Sequence, residues 1–243
     1  MLIVNFHQPI SINTLGGKEC NIDTLHGMTC ESILTIESFL STGSYITFKG
    51  KLSTQQLGNY DSKDIVIKFY HSLSDNTNEF EIMKFVTEET SLQNIVPIPY
   101  VSVTNPMCKT YKISNLVINN VWKIIIYEYI PGIPVIHLID TNVIMMANDI
   151  KLILDKLYSI GLVHADIHEE NIIRTKNGKY RLIDFGQSFS TDNRFPPSKM
   201  MLKYNLISNK DQSINFFRDR DLDNLFKLIT YLRYNNPLYA SKL

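Results

Sequence analysis

Branched and aromatic residues interleave with polar ones in short stretches at 33–40, 44–50 and 64–70. The last, Asp64-Ile65-Val66-Ile67-Lys68-Phe69-Tyr70, is branched or aromatic almost throughout. This pattern predicts sheet strands, because β-branched side chains pack well on a pleated surface and crowd a helix. A polar, helix-compatible segment follows at 78–89. The solidly apolar run from Trp122 to Tyr129 predicts a strand buried on both faces, ended by Pro131-Gly132. Beyond that punctuation the period changes. Ile150, Ile153, Leu154 and Leu157 fall at i, i+3, i+4 and i+7, one stripe of an amphipathic helix closed by Gly161. Leu222, Leu225, Phe226 and Ile229 form a second stripe. Residues 1–30 keep no sustained period and read as an irregular N-terminal extension. The expected architecture is α+β, a domain over 31–243 with a mainly β front part at about 31–130 and a mainly α rear part at about 131–243. A ligand cleft is expected between the two parts.

Composition narrows the classes. Of 243 residues 44% are hydrophobic, and 24 Lys and Arg balance 24 Asp and Glu, which fits a soluble globular chain. A chain of this length buries a core large enough to need no staples. Cys20, Cys30 and Cys108 make neither an even set nor a CxxC pair, which disfavours a disulfide framework and a structural zinc site. The zero formal charge removes the electrostatic case for direct nucleic-acid or anionic-membrane binding. No segment approaches the roughly 20 apolar residues of a membrane span, and Met1-Leu2-Ile3-Val4-Asn5 lacks the basic flank of a secretion signal. An intracellular, cytoplasmic location is expected. Ile and Asn are abundant beside few Ala, a bias that points to an AT-rich genome and would suit a large DNA virus.

The chemistry concentrates in His164-Ala165-Asp166-Ile167-His168-Glu169-Glu170-Asn171 and Tyr180-Arg181-Leu182-Ile183-Asp184-Phe185-Gly186. Moving the γ-phosphoryl of ATP demands little covalent work from a protein; it must hold Mg²⁺ against the phosphates and place an acceptor hydroxyl in line. Hard Mg²⁺ prefers oxygen ligands, so an Asp and an Asn on neighbouring loops suit it, while another Asp orients the hydroxyl. Asp184, Asn171 and Asp166 supply that trio. The two stretches resemble the catalytic loop H-R-D-x-x-x-x-N and the metal loop D-F-G of the protein-kinase superfamily, with both spacings kept. Turn propensity alone also places Asp, Asn and Gly in loops, but two multi-letter motifs in the right order are far more specific.

The resemblance implies a two-lobed kinase-like fold, ATP and Mg²⁺ as cofactors, and further site residues. Lys68 in Ile65-Val66-Ile67-Lys68 matches the V-A-I-K strand whose Lys grips the α/β-phosphates. Its partner on the next helix is Glu79, preferred over Glu81 because apolar residues follow Glu79 at i+1, i+3 and i+4. Ile124 to Gly132 resembles the hinge on which kinases seat adenine, with Glu128 C=O and Ile130 N–H meeting the purine and Tyr127 at the back of the pocket. Asp221 resembles the Asp of a casein-kinase-like rear helix that braces the catalytic loop, with Asp219 a rival and helix-dipole complementarity a simpler explanation. The Gly-rich loop is degenerate. Laying 40–48 on it leaves only Gly43, with Phe48 at the position over the base.

Other departures shape the functional expectation. Ala165 stands where many kinases carry the Arg that meets an activation-loop phosphate, so phosphorylation switching of that loop is not implied. His168 replaces the usual Lys near the transferred phosphate, which is closer to small atypical and antibiotic-phosphorylating kinases. No A-P-E follows Gly186, and little chain remains after the rear helix, so a truncated C-lobe reminiscent of RIO-type and KEOPS-type kinases is expected. The leading expectation is an atypical serine/threonine kinase acting on a protein substrate, with Asp166, Lys68 and Asn171 catalytic and Asn171 and Asp184 on the metal. Gly43, Lys68, Glu79, Glu128, Ile130 and Asp184 would bind the cofactor. A small-molecule kinase and a pseudokinase scaffold are the alternatives.

Overall fold

The structure is a computed structural model and describes residues 32–42, 45–56, 59–71, 78–89, 96–104, 106, 111–113, 116–138, 142–197 and 214–235. The chain divides into two compact units, one within 1–75 and 99–129, the other within 76–98 and 130–243. The first unit is built on β1 (Ser32–Thr42), β2 (Tyr45–Gln56), β3 (Asn59–Tyr70), β4 (Pro99–Thr104) and β7 (Lys123–Glu128). They form one sheet in the order β1-β2-β3-β7-β4, with every neighbouring pair antiparallel.

The period of 2 along β3 sorts its side chains onto two faces. On one, Ile65, Ile67 and Phe69 join Phe48 of β2 and Ile126 of β7 in an apolar core, closed by Tyr111, Ile113 and Ile118 of the hairpin β5 (Tyr111–Ile113) and β6 (Leu116–Ile118). Phe69 packs its ring 5.2 Å from Tyr111 and 5.9 Å from Phe48, distances at which aromatic pairs add to simple burial. The other face carries Val66 and Lys68, opposite Tyr127 and Ile125 of β7. Residues 65–70 are buried throughout, which is why this strand reads as a nearly continuous apolar run. Beyond the ends of the β3–β7 ladder, Trp122 N–H donates to Tyr70 O at 2.9 Å and Tyr129 N–H to Asp64 O at 3.0 Å.

The second unit opens with α1 (Glu79–Glu88), whose buried residues Glu79, Ile82, Met83 and Val86 lie at i, i+3, i+4 and i+7. β8 (Gly132–Pro134) runs into a 3₁₀ turn at Val135–His137. Asn142 then starts α2 (Val143–Ser159) by accepting Met145 N–H at 3.0 Å, an N-cap of a kind worth about 1 kcal/mol. The helix buries Val143, Met146, Ile150, Ile153, Leu154 and Leu157. It ends at Gly161, φ 77°, where a residue with Cβ would be strained. Short strands follow: β9 (Leu162–Val163), β10 (Ile172–Thr175), β11 (Tyr180–Leu182) and β12 (Phe189–Ser190). β10 lies between β11 and β8, and β12 pairs with β9. The last described helix, α3 (Ile214–Asn235), buries Phe217, Asp221, Leu225 and Leu228.

The α+β class expected from the sequence is the class observed. Three details differ. Among the described residues the rear part also holds, between α2 and α3, the strands β9 to β12, two to four residues long and too short to show a period. Helix α3 spans Ile214–Asn235, and its inward stripe is set by Phe217, Asp221, Leu225 and Leu228 rather than by Leu222, Phe226 and Ile229, which leaves Phe226 68% exposed. Helix α1, expected in the front part, groups with the second unit. The N-terminal extension at 1–30 and Gly43 lie outside the described residues. Among the described residues no helix is long and apolar enough to cross a membrane.

Candidate active site

The loop after β9 is held by buried polar contacts rather than by regular pairing. Ala165 stands at φ 67°, a left-handed conformation that costs a non-glycine residue roughly 1–2 kcal/mol. The Asp221 carboxylate, on α3 and 1% exposed, accepts His164 N–H at 3.2 Å and Ala165 N–H at 3.1 Å, and receives the Tyr158 hydroxyl of α2 at 3.0 Å. Burial raises the Asp221 pKa, and these donors work against the shift. Burial likewise raises that of Tyr158, helped by the adjacent Asp221 charge. His164 is fully buried, with Phe185 packed edge-on at 4.8 Å and Ser188 Oγ donating to its carbonyl at 3.0 Å. Its Nε2 lies 3.1 Å from Ile183 O, and Asp166 N–H donates to its Nδ1 at 3.3 Å. Only the neutral tautomer with hydrogen on Nε2 satisfies both contacts. Burial accordingly lowers the His164 pKa.

This scaffold aims three side chains at one another. Asn171 is buried and spends its amide hydrogens on Asp166, at 3.0 Å from the carbonyl and 3.1 Å from Oδ2. His168 Nε2 lies 3.6 Å from the same Oδ2, and the Asp166 carboxylate raises the His168 pKa. Asn171 N–H closes the intervening turn on His168 O at 3.1 Å. Past the turn, β10 pairs Ile172 with Leu182 of β11, and Ile183 N–H donates to Asn171 O at 2.9 Å. That pairing brings the Asp184 loop to the same end of the hairpin as Asn171. Asp184 is itself left-handed, φ 62°, and its Oδ1 accepts Gly186 N–H at 3.2 Å. A Cβ on Gly186 would stand 3.0 Å from Asp184 Oδ1 and 3.7 Å from Glu79 Oε2, so the metal-loop glycine packs against the start of α1. Glu79 is fully buried, whereas Glu81 is exposed.

The donor set suits a hard divalent cation. With the Asn171 amide nitrogen committed to Asp166, its Oδ1 remains as an oxygen ligand, and Asp184 adds a carboxylate. Both are oxygen donors of the type Mg²⁺ takes.

In the first unit Lys68 is 2% exposed on β3, its Nζ 4.3 Å from the Tyr45 ring centroid and 5.7 Å from that of Tyr127. Such cation–π contacts favour the charged amine. The strand register corrects one expectation. Thr47 pairs with Lys68 and Phe48 with Ile67, so Phe48 lies in the apolar core on the face opposite Lys68 and does not stand over a base. Thr47 takes the Lys68 face. Its hydroxyl is buried with no hydrogen-bond partner among the described residues. At the end of β7, Tyr129 N–H is spent on Asp64 O, so the trans peptide turns Glu128 C=O away from β3, beyond the last β4 pair at Pro99 and Tyr127. Ile130 is buried.

Sequence reading missed Tyr158, Ser188 and Thr47. A period-2 alignment of 45–49 against 66–70 signals Thr47. Nothing in the sequence signals Tyr158 or Ser188, because their roles depend on contacts across 63 and 24 residues of chain.

Comparison with known families gives a match over part of the chain. Residues 115–216 match the model of the ABC1 atypical kinase-like domain. The matched stretch, less than half of the chain, contains Asp166, His168, Asn171 and Asp184, while Lys68 and Glu79 precede it. No curated protein matches the chain. The chain is therefore similar to an atypical kinase-like domain over the stretch that holds the loops of Asp166 and Asp184.

Proposed function

We propose that this protein is a phosphotransferase that moves the γ-phosphoryl group of Mg-ATP to a serine or threonine hydroxyl of a protein. The observation that carries the reading is the convergence of Asn171 and His168 on the Asp166 carboxylate, next to an oxygen-ligand pair suited to Mg²⁺. Asp166 accepts the acceptor's proton, and Asn171 fixes the carboxylate that receives it. His168, when protonated, offers positive charge where negative charge gathers on the transferred group. Asn171 and Asp184 would hold the metal, whose bound charge neutralises the phosphates. Lys68 and Glu79 take the phosphate-aligning roles that the resemblance implies, and the hinge at Glu128 and Ile130 takes the adenine. The match to the ABC1 domain favours that lineage of atypical kinases over the RIO and KEOPS types.

The test incubates the purified full chain with labelled Mg-ATP, generic protein substrates and a panel of small hydroxyl compounds. Transfer to protein that falls by roughly 10²–10⁴-fold in Asp166→Ala and is lost in Asp184→Ala supports the reading. Transfer to small molecules alone replaces the acceptor class. Nucleotide binding with no transfer makes the chain a pseudokinase.

A further inference from the structure

The metal loop continues into a segment that returns to helix α1. From Gly186 the chain passes through β12 to Asp192, turns at Asn193 with φ 64°, and reaches Arg194-Phe195-Pro196. The base of this excursion is firmly held. Phe189 pairs with Val163 and packs edge-on against Phe217 at 4.9 Å. Ser190 N–H donates to Phe195 O, and Phe195 N–H donates to Ser190 Oγ, both at 2.8 Å. Asp192 accepts Arg194 N–H at 3.1 Å and Nε at 2.6 Å, which sets the guanidinium in place. Hydrogen bonds from the Ser190 hydroxyl and the Arg194 N–H hold the Asp192 pKa down at about 2, so this clasp stays ionised.

Three contacts then reach α1. The Phe195 ring lies 5.7 Å from that of Phe85, the Arg194 guanidinium sits 4.5 Å from the Phe85 centroid, and Asn78 Nδ2 donates to Pro196 O at 2.8 Å. Asn78 and Phe85 are seven residues apart and so fall on one stripe of the helix. Asn78 occupies the N-cap position; its carbonyl accepts Ile82 N–H, but its side chain makes no capping bond to the helix, and its Nδ2 donates to Pro196 O. The neighbouring stripe carries Glu79, against which Gly186 packs. One run of chain thus touches α1 at its first turn through Gly186 and again at Phe85 through Arg194 and Phe195.

We propose that Asp192–Pro196 is a built-in strap that fixes helix α1, and with it the Glu79 carboxylate, without any covalent modification, so that Arg194 and Phe195 are positioning residues. In its catalytic meaning the proposal rests on the phosphotransferase reading. The strap itself does not. It fits the absence of an Arg beside Asp166, where Ala165 stands: stacking and hydrogen bonding do the work that a phosphate–arginine pair does elsewhere.

Amide hydrogen exchange on the full chain, expressed without phosphorylation as verified by mass, tests the strap independently of activity. Arg194→Ala and Phe195→Ala are expected to speed exchange across residues 79–88 by about tenfold while leaving 143–157 unchanged. Phe195→Leu keeps apolar volume, loses the ring and should give an intermediate acceleration, which decides the matter if Phe195→Ala unfolds. In transfer assays the same variants should lower kcat about tenfold with the acceptor KM unmoved, and Phe195→Tyr should restore it. Unchanged exchange over 79–88 in Arg194→Ala and Phe195→Leu overturns the proposal, as does fast exchange there in the unmodified wild-type chain. If the wild-type chain transfers no phosphate, the functional reading fails, and exchange alone still decides the strap.

Discussion

The Asp221 carboxylate accepts the backbone N–H of Ala165 at 3.1 Å while Ala165 stands at φ 67°. A residue on the last described helix therefore holds a strained residue immediately before Asp166. The left-handed turn is not self-sustaining in alanine, so the clamp has to supply what the backbone lacks. Removing the carboxylate in Asp221→Ala leaves His164 N–H, Ala165 N–H and the Tyr158 hydroxyl buried without their acceptor. At about 1–3 kcal/mol for an orphaned buried donor, and without simple additivity, the expected loss is roughly 2–4 kcal/mol. Asp221→Asn keeps one acceptor oxygen and should lose less. Urea unfolding of the two variants checks the order, and an Asp221→Ala chain as stable as wild type would remove the clamp from the account.

Two glycines separate close approach from backbone strain. A Cβ on Gly132 would stand 2.4 Å from Ile173 Cγ2 and 2.5 Å from Arg174 O, at the point where β8 pairs with β10. The second obstacle is backbone and cannot swing away. Gly178 has φ 81°, but a Cβ there meets nothing within 4 Å. Gly178→Ala should therefore cost only the left-handed penalty, about 1–2 kcal/mol. Gly132→Ala forces the two strands apart and should cost more, towards the upper end of the roughly 1–3 kcal/mol typical of overpacking or beyond. Midpoints of urea unfolding give the comparison; the reverse order would mean that the β8–β10 contact yields more easily than its geometry implies.

How much of this was legible beforehand follows from which signals are local. The strands at 64–70 and 122–129 and helix α2 declare themselves by composition and period: the second matches β7 to within a residue at each end, whereas β3 and α2 start five and seven residues before the pattern that reveals them. The motifs that carry Asp166, Asn171 and Asp184 stand out because loop motifs have fixed spacing, and the structure joins Asn171 to Asp166. Burial of Glu79 and exposure of Glu81 agree with the helix register inferred from the apolar residues after Glu79. Phe48 was misread because a motif laid on a degenerate loop ignores strand parity, and a one-residue slip moves a side chain to the other face. Phe226 was misread for the helical equivalent, since two stripes of α3 compete and tertiary packing selects Leu225 and Leu228. The strap contacts from Asn78 to Pro196 and from Phe85 to Phe195 bridge more than 100 residues, a separation that no window of sequence reports.

Gly186 offers a probe of the proposed metal site. Its backbone does not lie in the left-handed region, so alanine is tolerated conformationally, but the added Cβ would stand 3.0 Å from Asp184 Oδ1 and 3.7 Å from Glu79 Oε2. The Asp184 carboxylate has to give by a few tenths of an ångström. With Asp184 on the metal as proposed, its displacement should raise the Mg²⁺ concentration needed for half-maximal transfer, whereas the fold, with nothing else crowded, should remain within about 1.5 kcal/mol of wild type. Titrating Mg²⁺ in nucleotide-binding and transfer assays reads the effect. An unaltered Mg²⁺ dependence would show that Asp184 does not act through the oxygen beside Gly186.

His164 ties stability to pH in a direction that its hydrogen bonds dictate. Nδ1 accepts Asp166 N–H and Nε2 faces Ile183 O, so a proton added at Nδ1 would confront a donor inside a fully buried pocket. The folded-state pKa therefore lies below the ordinary 6.5, with burial as the principal cause. Between the folded pKa and 6.5 the unfolded chain binds a proton that the folded chain refuses, so stability rises with pH across that window. Below 6.5 the fold should weaken by up to about 1.4 kcal/mol per pH unit from this group, and above it the contribution is flat. Replacing the ring in His164→Gln removes the titration and should flatten the slope between pH 6.5 and 5, even though the variant starts from lower stability. Urea unfolding at several pH values for both proteins separates slope from offset. Equal slopes would mean that His164 accepts its proton in the folded chain and that the Asp166 N–H contact does not require the neutral ring.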